Sequence, residues 1–115
     1  LPVAAVTGRP KRDALMFLKR FNLLESFSAV ITMEDAPAKP HPAPVSKALK
    51  CLDVGRAWML GDTRDDIDAA RGAQVLPIGV LTPNQENTSQ NREALLRAGA
   101  ARVFNRWTEV ESYLS

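Results

Sequence analysis

Cysteine, histidine and aromatic side chains are scarce in this 115-residue sequence: one Cys, one His and 6% Phe, Trp and Tyr. A single cysteine, Cys51, excludes an intrachain disulfide and fits a reducing, intracellular setting such as the cytoplasm. A single histidine, His41, cannot build a zinc site by itself. No apolar run approaches the ~20 residues of a membrane-spanning helix, so no membrane partner is expected. Charge of one sign is also lacking. Fifteen basic and 13 acidic residues leave a net charge of only +2, with no Lys/Arg run, and nucleic-acid binding gains no support. What is present is ordinary for one globular domain: 45% apolar and 24% charged residues, enough for one modest core.

The apolar runs alternate between two periods. Leu1 to Val6, Ala29 to Thr32, Ala57 to Leu60, Val75 to Val80 and Arg102 to Phe104 read as short strands. Between them lie helical patterns. Pro10 suits a first helical position, and Ala14, Leu15, Phe17, Leu18 and Phe21 mark one face. Val45, Ala48, Leu49 and Leu52 mark a second helix. A third runs over Asp65 to Arg71 with Gly72 as its cap, and a fourth over Arg92 to Ala98. Thr108 and Glu111 have the spacing of a capping box for a last helix through Leu114. Four prolines between Glu34 and Pro44 predict a loop, as does the polar stretch Thr82 to Asn91. Pro77 predicts an edge or a strand-end position. The order βαβαβαβαβα predicts an α/β fold: a Rossmann-like three-layer αβα arrangement with a mostly parallel sheet. Ligands of such sheets gather at the carboxyl ends of the strands.

Three such ends carry reactive side chains. Thr7-Gly8 offers a hydroxyl and turn amides to a phosphate; the plainer alternative is that Thr7 caps the following helix. Lys39 sits between prolines in Ala38-Lys39-Pro40-His41-Pro42, a fixed cation or merely a solvated one. His41 is a possible acid–base group or a surface imidazole. Gly61-Asp62-Thr63-Arg64-Asp65-Asp66, with Asp68 beyond, concentrates four acids in seven residues. A hard cation would relieve that repulsion, with Asp62 as direct ligand and Asp66 behind it, holding a water or Lys39. Alternatively all four acids simply favour a helix N-terminus. Together the three segments form equipment for stabilising a phosphoryl group in transfer.

These segments resemble the motifs of the haloacid dehalogenase superfamily. V-T-G-R-P resembles its second motif, K-P-H-P-A-P its third and L-G-D-T-R-D-D-I-D-A-A its fourth, closest to the phosphoglycolate-phosphatase-like branch. The resemblance implies Mg²⁺ and hydrolysis of a small-molecule phosphate ester through an aspartyl-phosphate. It implies phosphate binding by Thr7 and Gly8, charge neutralisation by Lys39, metal ligation by Asp62 and metal-shell support by Asp66. The family's first motif, an apolar strand followed by Asp-x-Asp, is not found. Asp66-Ile67-Asp68 has its spacing but belongs to the fourth motif, and Pro37 stands where a partner for Asp35 would be. The cap that selects substrate is missing as well. In the family the first-motif strand lies between the strands that here end in Thr7 and Asp62. Its absence would leave unpaired backbone groups at about 1–3 kcal/mol each when buried, against a domain stability of about 5–15 kcal/mol. The expectation is therefore a partial core domain over residues 1–115, inactive alone, whose nucleophile lies on a missing N-terminal segment of the same protein. A noncatalytic binding module is the alternative.

Overall fold

A computed structural model describes residues 2–82 and 88–114. Strands β1 (Ala4–Val6), β2 (Ala29–Ile31), β3 (Trp58–Gly61), β4 (Leu76–Val80) and β5 (Arg102–Phe104) alternate with helices α1 (Lys11–Arg20), α2 (Ala43–Leu52), α3 (Arg64–Gly72), α4 (Thr88–Ala98) and α5 (Trp107–Leu114). A short 3₁₀ turn at Leu24–Ser26 precedes β2. All strand pairings are parallel. The α/β order and the parallel pairing expected from the sequence are both present.

The pairing is divided. Among the described residues β1 pairs only with β2, while β3, β4 and β5 form a second sheet in that order. In a parallel strand, the N–H and C=O of one residue point to the same side, and successive residues alternate. Thr7 donates to the Ile31 carbonyl and Val3 accepts from Ser28, so the odd-numbered residues of β1 face β2. Ala4 and Val6 face the other way, toward an edge no described strand occupies. Leu76 donates to the Ala57 carbonyl, so Trp58 and Leu60 turn their backbone groups to an open edge as well. Burial agrees: β4 is buried from Pro77 to Val80, whereas β1 is half-buried throughout and β3 is buried only at Gly61. The order is thus β2-β1, a gap, then β3-β4-β5.

Side-chain alternation assigns the helices to two faces. Met59 packs with Val45, Ala69, Ala70 and Val75 beneath α2 and α3. Leu60, pointing oppositely, packs with Ile78, Val80, Phe104 and Val110 beneath α5. A third cluster, including Ile67, Leu81, Leu95 and Val103, joins α3 to α4. β2 lies on the far side of β1 from β3, so a right-handed β1–α1–β2 crossover puts α1 on the α5 face.

Several local expectations are corrected. Pro10 is the N-cap of α1, not its first helical residue. Only Ala14 and Leu18 of the expected α1 face are buried; Phe17 and Phe21 are exposed, because nothing described covers that flank. α2 begins at Ala43 inside the expected proline loop, with Pro42 as N-cap and Pro44 in the first turn, where a missing N–H costs nothing. Gly72 is the last residue of α3, and Gln74 takes the left-handed backbone, at φ 61°. A side chain at Gly72 would press on Pro42, 2.9 Å from its Cβ.

Of the two positions expected for Pro77, the strand end is the one observed: it is the second residue of β4, the central strand of its three. The missing N–H falls on the β5 side, one residue before that ladder begins at Ile78–Arg102, so no ladder bond is lost. Helix α4 starts at Thr88, within the stretch expected to be loop; residues 83–87 of that stretch, and Leu1 of the first expected strand, lie outside the described residues. Thr108 is inside α5, and its capping contact comes instead from Glu109, whose Oε2 accepts from the Asn105 amide at 3.0 Å. Thr63 and Asp66 form a capping box, at the start of α3.

Candidate active site

The Lys39 ammonium occupies the carboxyl end of the gap. Its Nζ donates to the Val6 carbonyl at 3.2 Å, on the open edge of β1, and to Asp66 Oδ1 at 2.6 Å. The two side chains are 18% and 9% exposed, so this is a largely desolvated ion pair. Asp66 Oδ2 accepts from the Asp62 amide at 3.1 Å and the Thr63 amide at 3.2 Å. Thr63 Oγ1 accepts from the Asp66 amide in return. Burial opposes ionisation of Asp66, but Lys39 and Thr63 outweigh it and hold the carboxyl below the ordinary aspartate range. Gly61 lets this happen: a Cβ there would overlap the Asp66 side chain, 2.7 Å from Oδ2. The Lys39–Pro40 peptide is cis.

Asp62 stands at the end of β3, half-buried. Its backbone is held by Asp66, and its carboxylate has no hydrogen-bond or ionic partner among the described residues. No group of three His, Cys, Asp or Glu side chains suited to a metal is gathered among them. One free carboxylate at a strand end still fits Mg²⁺, which keeps waters and takes phosphate oxygens alongside few protein ligands.

Thr7 follows Val6, next to the Lys39 contact. Its hydroxyl does not cap α1. Oγ1 accepts from the Arg9 amide at 3.2 Å, which leaves the hydroxyl hydrogen available to donate. The Thr7 amide is committed to Ile31. The Gly8 amide has no backbone partner among the described residues, and a Cβ on Gly8 would meet nothing within 4 Å. Packing does not require glycine there. The turn thus offers one hydroxyl and one amide, fewer donors than the sequence suggested.

The α1 N-terminus is capped from a distance by Glu34, whose Oε2 accepts from the Lys11 amide at 2.7 Å. Thr32, 1% exposed, shares its hydroxyl between Glu34 Oε2 and Asp35 Oδ2, both at 2.9 Å. Asp35 also accepts from the Thr32 amide at 2.8 Å. The Lys11 amide is the main reason the Glu34 carboxyl lies below its usual range; for Asp35 it is the Thr32 amide. Met33 donates to the Arg9 carbonyl. The loop after β2 therefore holds the Thr7–Lys11 turn in place. Sequence reasoning missed this role; the available signal was a threonine closing a strand with two acids just behind it.

The remaining candidates stay apart from this locus. His41 Nδ1 accepts from the Ala43 amide at 3.0 Å, a local contact at the start of α2. Asp65 is exposed. Asp68 pairs with Arg64 at 3.5 Å across one helical turn. Cys51 is free and exposed on α2. No helix among the described residues is long and apolar enough to cross a membrane.

The family model for haloacid dehalogenase-like hydrolases matches residues 1–80. An imidazoleglycerol-phosphate dehydratase from Phytophthora nicotianae is 47% identical over 83 residues, 70% of this chain and 18% of that protein. A phosphoglycolate phosphatase from Neisseria meningitidis is 36% identical over 83 residues, 70% of this chain and 35% of its own length. The chain therefore spans about a third or less of these relatives. Among solved structures, a candidate β-phosphoglucomutase from Thermotoga maritima superposes with a TM-score of 0.85 at 25% identity, covering 99% of this chain and 52% of that one.

Proposed function

Because this chain belongs to the haloacid dehalogenase-like hydrolase family, we propose that it supplies the phosphate- and metal-binding part of a Mg²⁺-dependent phosphatase acting on a small phosphomonoester. The attacking carboxylate belongs to a strand that fills the β1–β3 gap, contributed by another segment of the same protein. The single observation that carries this reading is Lys39. Its ammonium stands at the carboxyl end of an unfilled strand position, between the open edge of β1 and the acidic start of α3. A carboxylate on an inserted parallel strand would end beside it.

Each residue then has a defined task. The Thr7 hydroxyl and the Gly8 amide donate to non-bridging phosphate oxygens, and the open space at Gly8 lets them approach. Lys39 neutralises charge that grows on the phosphoryl group during transfer. Asp66 holds Lys39 and the Asp62 backbone, so cation and metal-site carboxylate are fixed relative to each other. Asp62 is the residue that would hold Mg²⁺, which supplies charge neutralisation at phosphate oxygens. The first carboxylate of the inserted Asp-x-Asp would form an acyl phosphate as the P–O bond to the alcohol breaks, the second aspartate giving its proton to the departing oxygen; that aspartate would then take a proton from the water that cleaves the anhydride and releases inorganic phosphate. The lone free thiol of Cys51 accords with a reducing compartment.

The test uses the 115-residue chain with Mg²⁺ and an aryl phosphate, with and without a synthetic apolar peptide ending in Asp-x-Asp. Turnover should require the peptide. It should be lost on changing the peptide's first aspartate to Asn, and on Asp62→Asn in the chain. Turnover by the bare chain, indifferent to peptide, refutes the proposal. So does a peptide that binds yet gives no turnover, the outcome a noncatalytic binding module would produce.

A further inference from the structure

The turn that offers donors to phosphate is braced from outside by a single side chain. Between Thr7 and Lys11 the backbone is tied repeatedly. The Thr7 amide donates to the Ile31 carbonyl at 2.9 Å, and the Arg9 carbonyl accepts from the Met33 amide at 3.1 Å. The Arg9 amide donates to Thr7 Oγ1 at 3.2 Å, and the Lys11 amide to Glu34 Oε2 at 2.7 Å. The partners outside the turn all come from residues 31–34. Ile31 and Met33 use main-chain groups, which any side chain there would leave in place. Glu34 uses its carboxylate. The Gly8 amide stands in the middle of this bracing and has no backbone partner among the described residues.

Glu34 is itself anchored. Thr32, almost fully buried, turns its hydroxyl to the same Oε2 at 2.9 Å. The Lys11 amide is the main reason the carboxyl lies below its usual range, so the ionised form makes the contact at neutral pH. One oxygen takes both contacts. The other, Oε1, has no hydrogen-bond partner among the described residues. Position 34 therefore requires an acceptor of the right reach, and a carboxamide oxygen has that reach too.

The same segment delivers the second arm of the site. Beyond Glu34, Asp35 closes onto the Thr32 amide and hydroxyl, and its carbonyl accepts from Lys47 Nζ of α2 at 3.0 Å. The chain then runs through Pro37 to Lys39, whose ammonium meets the carbonyl of Val6, the residue before Thr7. Residues 32–39 thus form a braced strap, with the Thr7–Lys11 turn held at one end and the ammonium carried at the other. We propose that Glu34 is a positioning residue: it sets the spacing between the Thr7–Gly8 donors and the Lys39 ammonium, and so the affinity of the site for a phosphate group. It touches no ligand and acts through the Lys11 amide. The role rests on the phosphate site of the proposed function but needs neither the inserted strand nor turnover.

The test is a titration of inorganic phosphate into the isotope-labelled 115-residue chain at constant Mg²⁺, read by NMR at the Gly8 amide and the Lys39 side chain. In the wild type both should report one Kd. Glu34→Asp keeps the charge but draws the acceptor back by one methylene. It should weaken phosphate about fivefold at both positions, the scale of one lost helix-end contact. Glu34→Gln drops the charge but keeps the reach, and should stay within about twofold of wild type, as an ordinary surface substitution does. A cap serving stability alone would lower the melting temperature of Glu34→Asp and leave the Kd of the folded chain unchanged; that result overturns the proposal. So does a Gln variant as weak as the Asp variant, which would make charge, not reach, the requirement. Different Kd values at Gly8 and Lys39, or no response at either, refute the phosphate site and this role with it. A wild-type response that neither substitution moves refutes this role alone.

Discussion

Removing the Lys39 ammonium should destabilise the chain through Asp66 rather than through lysine packing. Lys39→Met keeps most of the aliphatic stem but leaves a largely buried carboxylate with only the Asp62 and Thr63 amides. Breaking a buried ion pair from one side costs about 3–5 kcal/mol. Lys39 retains some solvent contact, 18% of its side chain, so the lower end, about 3 kcal/mol, applies. Asp66→Asn leaves the ammonium with the Val6 carbonyl and solvent, and should cost about 1–2 kcal/mol. The double variant should cost about 2 kcal/mol less than the sum, because neither charge is then stranded. Urea unfolding at pH 7 measures all four proteins. The acid limb adds a sign. The Asp66 carboxyl is depressed in the folded state. Its contribution is therefore complete above the ordinary aspartate range and lost as pH falls through the lower folded value. Lys39→Met removes the main opposition to burial, so the loss should begin at higher pH. Additivity within about 0.5 kcal/mol, or an unchanged acid limb, would refute the coupling.

Gly61→Ala should lower stability by about 1–3 kcal/mol, read from the urea midpoint, because its methyl group would overlap Asp66. Thr63→Ala removes the hydroxyl half of the α3 capping box and should cost about 1 kcal/mol in the same assay. Glu34 and Asp35 are both depressed by amide and hydroxyl contacts. Their stabilisation is fully present above the usual carboxylate range and lost as pH falls through the lower folded values. Glu34→Gln with Asp35→Asn should therefore flatten the acid limb of thermal unfolding, and an unchanged limb would assign that slope elsewhere.

The parallel α/β order was legible because each strand is a short apolar run closed by a turn signal, and each helix carries a 3.6-residue stripe. The loops carrying Thr7, Lys39 and Asp62 were legible for the same reason: they sit where apolar runs end. The Lys39–Asp66 pair was readable as one of two roles for Asp66, since only the fold brings residues 27 apart together. The capping of α1 by Glu34 was not readable, because the contact spans 23 residues while local rules look for a cap at Pro10 or Thr7. Pro77 was legible only as an edge or strand-end residue, because a proline rule knows the residue but not the register: its missing N–H precedes the β4–β5 ladder. Phe17 and Phe21 misled. Helical period identifies an apolar stripe, but not how much of the stripe the rest of the chain can cover.

The gap makes its own residue-level prediction, independent of any chemistry. Backbone groups along β1 and β3 alternate between a strand partner and an open edge. Thr7 donates to Ile31 at 2.9 Å, and the alternation assigns partners to the amides of Ala5, Met59 and Gly61 also. The amides of Ala4, Val6, Trp58 and Leu60 face the gap. Amide exchange should therefore alternate along both strands, slow at the odd positions and fast at the even ones. In β4, with a strand on each side, the amides of Ile78, Gly79 and Val80 should all be slow. Global unfolding exposes odd and even amides together, so it cannot create the alternation; only local access to the edge can. Adding an apolar strand peptide should slow the even-numbered set selectively. Slow exchange at Ala4, Val6, Trp58 and Leu60 in the bare chain would mean that β1 and β3 have closed on each other, and no place for an inserted strand would remain.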